Sequence, residues 1–152
     1  MKRADFYLLN GSTFSDQLNF CCRLAEKALS KNNKIHIQTT ESIQNEALNE
    51  ALWAFKAESF LPHAVGQDQF KDYPITIDTG SDKLNLNPME EENRNLLILL
   101  ANTLPANYAS FERLSLVIIN QKELIQESRE LYKRLKNERY EVHIHDQRRQ
   151  ET

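Results

Sequence analysis

The sequence predicts an α/β fold: a three-layer arrangement in which a mostly parallel sheet is flanked by helices. Three observations carry this. Short strand-like runs alternate with amphipathic helical stretches along the chain. Two of those runs, Leu96–Leu100 and Leu116–Ile119, are continuously apolar, as strands covered on both faces should be. The chain has 152 residues, 40% hydrophobic and 27% charged, which is enough apolar material for one folded domain and too much for a disordered chain. The expected unit is a single domain over 1–152, with about 146–152 as a candidate disordered tail.

The elements follow in order. Phe6–Leu9 opens as a strand. Thr13-Phe14-Ser15-Asp16 has the pattern of a capping box, and Leu18, Cys21, Cys22, Ala25, Ala28 and Leu29 then recur at helical spacing. Both cysteines fall on the apolar face, where a free thiol behaves as a small hydrophobe. Lys34–Gln38 alternates with period two and places His36 in a structural position. Ser42 caps a second helix carrying Ile43, Ala47, Leu48, Ala51 and Leu52 on one face. Residues 60–95, with Pro62, Gly66, Pro74, Gly80 and Pro88, are the least regular stretch, broken by a strand-like Pro74–Asp78. Glu90-Glu91-Glu92 reads as a solvated acidic run. A long helix from about Asn120 to Asn137 and a strand at Tyr140–Ile144 complete the chain.

Several functional classes are excluded or weakened. The longest apolar run, Leu96 to Ala101, falls far short of the roughly 20 residues of a membrane helix. No apolar stretch follows the charged N-terminus, so a cytoplasmic location is expected. Nineteen basic against 22 acidic residues, net −3, is a poor balance for a general nucleic-acid binder. The turn Asn10-Gly11-Ser12-Thr13-Phe14-Ser15 has one glycine where a dinucleotide loop needs three, and no P-loop or nucleophile elbow occurs. No Cys/His set has zinc spacing, and His143 with His145 makes two ligands without a third. Glu58 and His63 form an acid–base pair lacking a nucleophile. No catalytic residue, metal site or cofactor is expected, and function by binding is the better inference.

Two stretches suit partners. Ala51–His63 gathers the only tryptophan, two phenylalanines and a proline, and both a core role and an interface role fit that spacing. On the last helix, Leu124, Ser128, Leu131 and Leu135 form one face. Lys122, Ile125, Arg129, Tyr132, Lys133 and Lys136 are expected roughly opposite, as a basic stripe with apolar insertions. Such a stripe fits an acidic ligand with an aromatic or aliphatic tip, or a solvated face laced with pairs such as Glu130 with Arg134.

The opening Lys2-Arg3-Ala4-Asp5-Phe6-Tyr7-Leu8-Leu9, the stretch Glu50-Ala51-Leu52-Trp53 with Glu58-Ser59-Phe60-Leu61-Pro62-His63, and Arg129-Glu130-Leu131-Tyr132-Lys133 together resemble the chi subunit of bacterial DNA polymerase III. The resemblance runs over nearly the whole chain and is weakest over about Gly66 to Glu92. It implies a nucleotide-free Rossmann-like fold and a non-catalytic accessory of the clamp loader. It also implies two partners. One is the psi subunit, received by Trp53, Phe60, Pro62 and His63. The other is the acidic, phenylalanine-ended C-terminal tail of single-stranded-DNA-binding protein. That tail would dock at Arg129, Tyr132 and Lys133, with Ile118 at the end of the preceding strand, and with Lys122, Ile125 and Lys136 on the same stripe. Ile125 stands where relatives can carry a lysine, and Lys122 is the expected compensation. The rival readings are a small α/β ligand-binding domain or enzyme with an unrecognised pocket, and a DNA binder using the basic stripe.

Overall fold

The computed structural model describes residues 2–31, 34–39, 46–48, 50–51, 63–65, 75–78, 95–100, 104 and 108–148. Their elements are β1 (Arg3–Leu8), α1 (Phe14–Ser30), β2 (Ile35–Gln38), β3 (His63–Val65), β4 (Ile75–Asp78), β5 (Leu96–Leu99), a 3-10 turn at Tyr108–Ser110, β6 (Arg113–Ile118), α2 (Lys122–Asn137) and β7 (Glu141–Asp146). Residues 46–48 and 50–51 are also helical, within the stretch expected to follow Ser42. The strands form one sheet in the order β3-β4-β2-β5-β6-β1-β7, with every pairing parallel. Of the strands, only β3 was not anticipated. Three residues following a proline are too few to show a period. Among the described residues, no helix is long and apolar enough to cross a membrane.

The sheet's period-two alternation divides the core into two layers. Ile35, Ile37, Leu96, Ile98 and Val117 face α1 and pack with Cys21, Cys22, Ala25 and Ala28. Ala4, Phe6, Leu97, Leu99, Leu114, Leu116 and Ile118 face the other way and pack with Ile125, Leu131 and Leu135 of α2. Helix α1 on one face and α2 on the other make the three-layer α/β fold. Burial pushes the Cys21 thiol well up and that of Cys22 to about 11, so both are apolar packing groups. His36 is buried, with its ring stacked on Phe111 at 6.4 Å.

The α2 face corrects the wheel drawn from sequence. Ile125 is only 8% exposed and belongs to the core, not to an outward stripe. The reason is angular. At about 100° per residue Ile125 lies about 60° from Ser128, inside the wide apolar face of a helix packed on a sheet. Leu124, expected on the buried face, is partly buried and touches both core layers. The expected Glu130–Arg134 pair is replaced by Arg134 to Glu138 at 3.1 Å and Lys133 to Glu130 at 3.8 Å.

The end of α2 aims β7. Arg139 takes a left-handed conformation at φ 67°. Its N–H donates to the Lys136 carbonyl, and that of Tyr140 to the Leu135 carbonyl, each at 3.0 Å. This is the paired bonding of a Schellman motif, with Tyr140 and Leu135 both buried in the core layer beneath α2. The chain thus turns sharply into the strand beside β1, and Glu141 N–H donates to the Lys2 carbonyl at 2.8 Å.

Candidate functional site

In an open α/β sheet, ligands bind where neighbouring connections leave the carboxyl ends of the strands on opposite faces. Here that place lies between β1, which leads into α1, and β6, which leads into α2. It is closed by the protein itself. Asn120 N–H donates to the Gly11 carbonyl at 2.8 Å, and the Gln121 side chain to the Ser12 carbonyl at 2.9 Å. Asp16 N–H donates to Thr13 Oγ1 at 3.2 Å, and Asp16 Oδ2 accepts from the Thr13 N–H at 3.2 Å and from its hydroxyl at 2.8 Å. This completes the predicted capping box. The first-turn position where a phosphate would sit in a dinucleotide fold therefore holds the protein's own carboxylate. Gly11 is needed because a Cβ there would lie 2.3 Å from Asp16 Cγ.

An opening lies on the other face. A groove of 420 Å³ runs between α2 and the β1–β7 edge of the sheet. Its floor is Phe6 and Leu8 of β1 with Ile125 of α2. Ser128 is buried, and its hydroxyl donates back to the Ile125 carbonyl at 2.6 Å; a side chain this short leaves the space open. Arg129 and Tyr132 form the α2 wall. Ile144 and Asp146 of β7, followed by Arg148, form the other. Tyr132 is held edge-on to Phe6 at 6.1 Å, with Lys136 Nζ 5.2 Å from its ring centre. An apolar floor with a few polar groups at the rim, at this size, is the usual make-up of a recognition site.

The sequence-predicted residues divide in two. Arg129, Tyr132 and Ile125 come together at the groove, with Ile125 as floor. Ile118 is buried in the same core layer and does not line the groove. Lys122, Lys133 and Lys136 are exposed on α2 outside its lining. Trp53, Phe60 and Pro62 lie outside the described residues, and of His63 only the backbone in β3 is described. Sequence reasoning missed Phe6, Leu8, Ser128, Ile144, Asp146 and Arg148. One signal was available: Ile144 and Asp146 must share a face of β7, and Ile144 is the one exposed large hydrophobic among the described residues, at 54%.

The opposite face of the same edge carries a charge cluster. Asp5 is 0% exposed, and its carboxylate accepts from Arg3 Nη2 at 3.0 Å and Arg113 Nη2 at 3.2 Å, with His145 Nε2 at 2.8 Å. Burial raises its pKa, but the hydrogen bonds from Arg3, His145 and Arg113 outweigh burial and hold the carboxyl below its ordinary value. The His145 ring also stacks on Tyr7 at 4.6 Å. His145 therefore clamps β7 to β1 from behind, and fixes the wall that presents Ile144 to the groove. Among the described residues no cluster of three or more metal-ligating side chains occurs.

Comparison with known proteins places the chain in a family. The family described as DNA polymerase III chi subunit, HolC, matches residues 1–143. A DNA polymerase III subunit chi of Pseudomonas aeruginosa is 26% identical over 145 residues, covering 95% of this chain and 96% of its own. That of Escherichia coli is 35% identical over 82 residues, 51% of this chain and 56% of its own. That of Haemophilus influenzae is 27% identical over 136 residues, 89% of this chain and 90% of its own. With a match over nearly its whole length, this chain belongs to the DNA polymerase III chi subunit family.

Proposed function

We propose that the chain is a non-catalytic adaptor of the polymerase holoenzyme at the bacterial, cytoplasmic replication fork. In this reading the groove beside α2 takes the acidic, phenylalanine-ended C-terminal tail of single-stranded-DNA-binding protein. A separate surface carrying Trp53, Phe60, Pro62 and His63 receives the psi subunit, which links the chain to the clamp loader. The observation that carries the reading is the meeting of Arg129 and Tyr132 at a groove with an apolar floor. The tail's terminal carboxylate or an aspartate pairs with the Arg129 guanidinium, whose fork suits a carboxylate. Its phenyl ring lies over Ile125 and against Tyr132, with Ile118 supporting the floor from below. Lys122, Lys133 and Lys136 form an outer cationic field that speeds encounter and fades with salt.

The test is calorimetric titration with a peptide copying the end of that tail. Micromolar binding is expected, weakened by salt. Removal of the terminal phenylalanine, or Arg129→Ala in the protein, should abolish it. Tyr132→Ala should weaken it about thirtyfold, as expected for a hot spot of about 2 kcal/mol. Absence of binding to the wild-type protein at low salt overturns the reading.

A further inference from the structure

The Arg148 guanidinium beside the groove is already occupied. It meets the Asp146 carboxylate through Nε to Oδ1 at 2.9 Å and Nη2 to Oδ2 at 2.7 Å, and Arg148 N–H donates to the same Oδ1 at 3.0 Å. That two-pronged contact is the geometry with which an arginine receives a carboxylate from a ligand. Both residues line the groove, on the wall facing Arg129. Between them and the floor stands Ile144, an apolar side chain left 54% open to water.

We propose that Arg148 is a second carboxylate receptor of this groove, held in reserve by Asp146, and that an acidic peptide docks by displacing the Asp146 carboxylate. The inference rests on the reading of the groove as a peptide site. An exposed ion pair stabilises a fold very little, so the exchange costs the protein almost nothing. The Arg148 link to Asp146 holds that carboxyl down at about 2, so it carries its charge at every working pH. Until it is displaced it repels the acidic body of the ligand; once displaced it leaves a guanidinium on each wall and Ile144 between them. The arrangement selects against neutral apolar peptides, which could cover Ile144 but could not release Arg148.

The experiment uses the full chain and a short synthetic peptide with an acidic body and a terminal phenylalanine. Asp146→Asn should tighten binding, and Arg148→Ala should weaken it, each by about two- to fivefold, the range an exposed pair commands. Arg148→Lys should fail to restore it, because an ammonium cannot form the fork. Competition requires coupling: in the Arg148→Ala background, Asp146→Asn should give less than half of its gain. Additive effects would mean that Asp146 acts only as a distant charge, and the proposal falls. If the peptide binds wild type and is lost in Arg129→Ala while Asp146→Asn and Arg148→Ala match wild type, the reserve role is wrong and the groove reading stands. If wild type and all variants fail to bind, both fall.

Discussion

Removing the Asp5 carboxylate tests the account of how β7 is held. Arg3 and Arg113 are register partners on adjacent strands, so Asp5→Ala leaves two guanidinium groups opposite one another with their shared counter-charge gone. Losing one partner of a buried ion pair costs about 3–5 kcal/mol. Asp5 is fully buried, but Arg3 and Arg113 side chains are 38% and 42% exposed, so water solvates part of what is uncovered. The expected cost is therefore about 2–3 kcal/mol, below the fully buried range. For a chain of this size that lowers Tm by about 4–12 °C. The assay is urea unfolding at neutral pH, repeated down to pH 3. The sign is fixed by linkage. A carboxyl held below its ordinary value in the folded state stabilises the protein above that value, and the contribution is lost as pH falls through the folded pKa. Wild type and Asp5→Ala should thus differ fully at neutral pH and converge below the ordinary 3.8. A neutral-pH difference under about 1 kcal/mol, or one that survives unchanged in acid, would refute the reasoning.

Two further predictions concern backbone devices. Arg139→Gly removes the left-handed strain at φ 67° and should stabilise the protein by up to about 1 kcal/mol, less whatever the freer unfolded chain takes back; thermal unfolding reads it, and a loss of stability would mean the Arg139 side chain matters more than its backbone. Gly11→Ala should lower Tm, because its Cβ drives Asp16 out of the capping box. In an Asp16→Ala background the same substitution should cost much less, and equal costs in the two backgrounds would place the strain elsewhere.

The elements readable in the sequence are those whose pattern is local. The capping box at Thr13 and Asp16, the alternation of Ile35 to Gln38 and the apolar runs of β5 and β6 each contain their own signal. β3 carries none in three residues. Ile125 was misplaced because the wheel was centred on the leucines. The buried face is set instead by what α2 lies on, and it widens towards Phe6 and Ile118. The groove is a non-local object. Its floor comes from β1 and its walls from α2 and β7, and only the pairing of Leu8 with Asp146 brings Arg148 to its rim. Arg129 and Tyr132 were singled out twice, by the basic stripe on the helical wheel and by the resemblance of the stretch around them to a known family. The wall facing them, Ile144 with Asp146 and Arg148, required the fold.

The position of β1 has a consequence for how the chain matures. It comes before the other described strands, yet both its neighbours, β6 and β7, lie late in the sequence. The contacts that fasten it, Asp5 with Arg113 and Asp5 with His145, span 108 and 140 positions. During synthesis both hydrogen-bonding edges of β1 stay open until β6 and β7 have emerged. Closing such long loops before any contact rewards them makes folding slow and leaves apolar edges exposed in the meantime. The β1–β6–β7 end of the sheet, which carries the groove, is therefore the last part of the described sheet to be assembled.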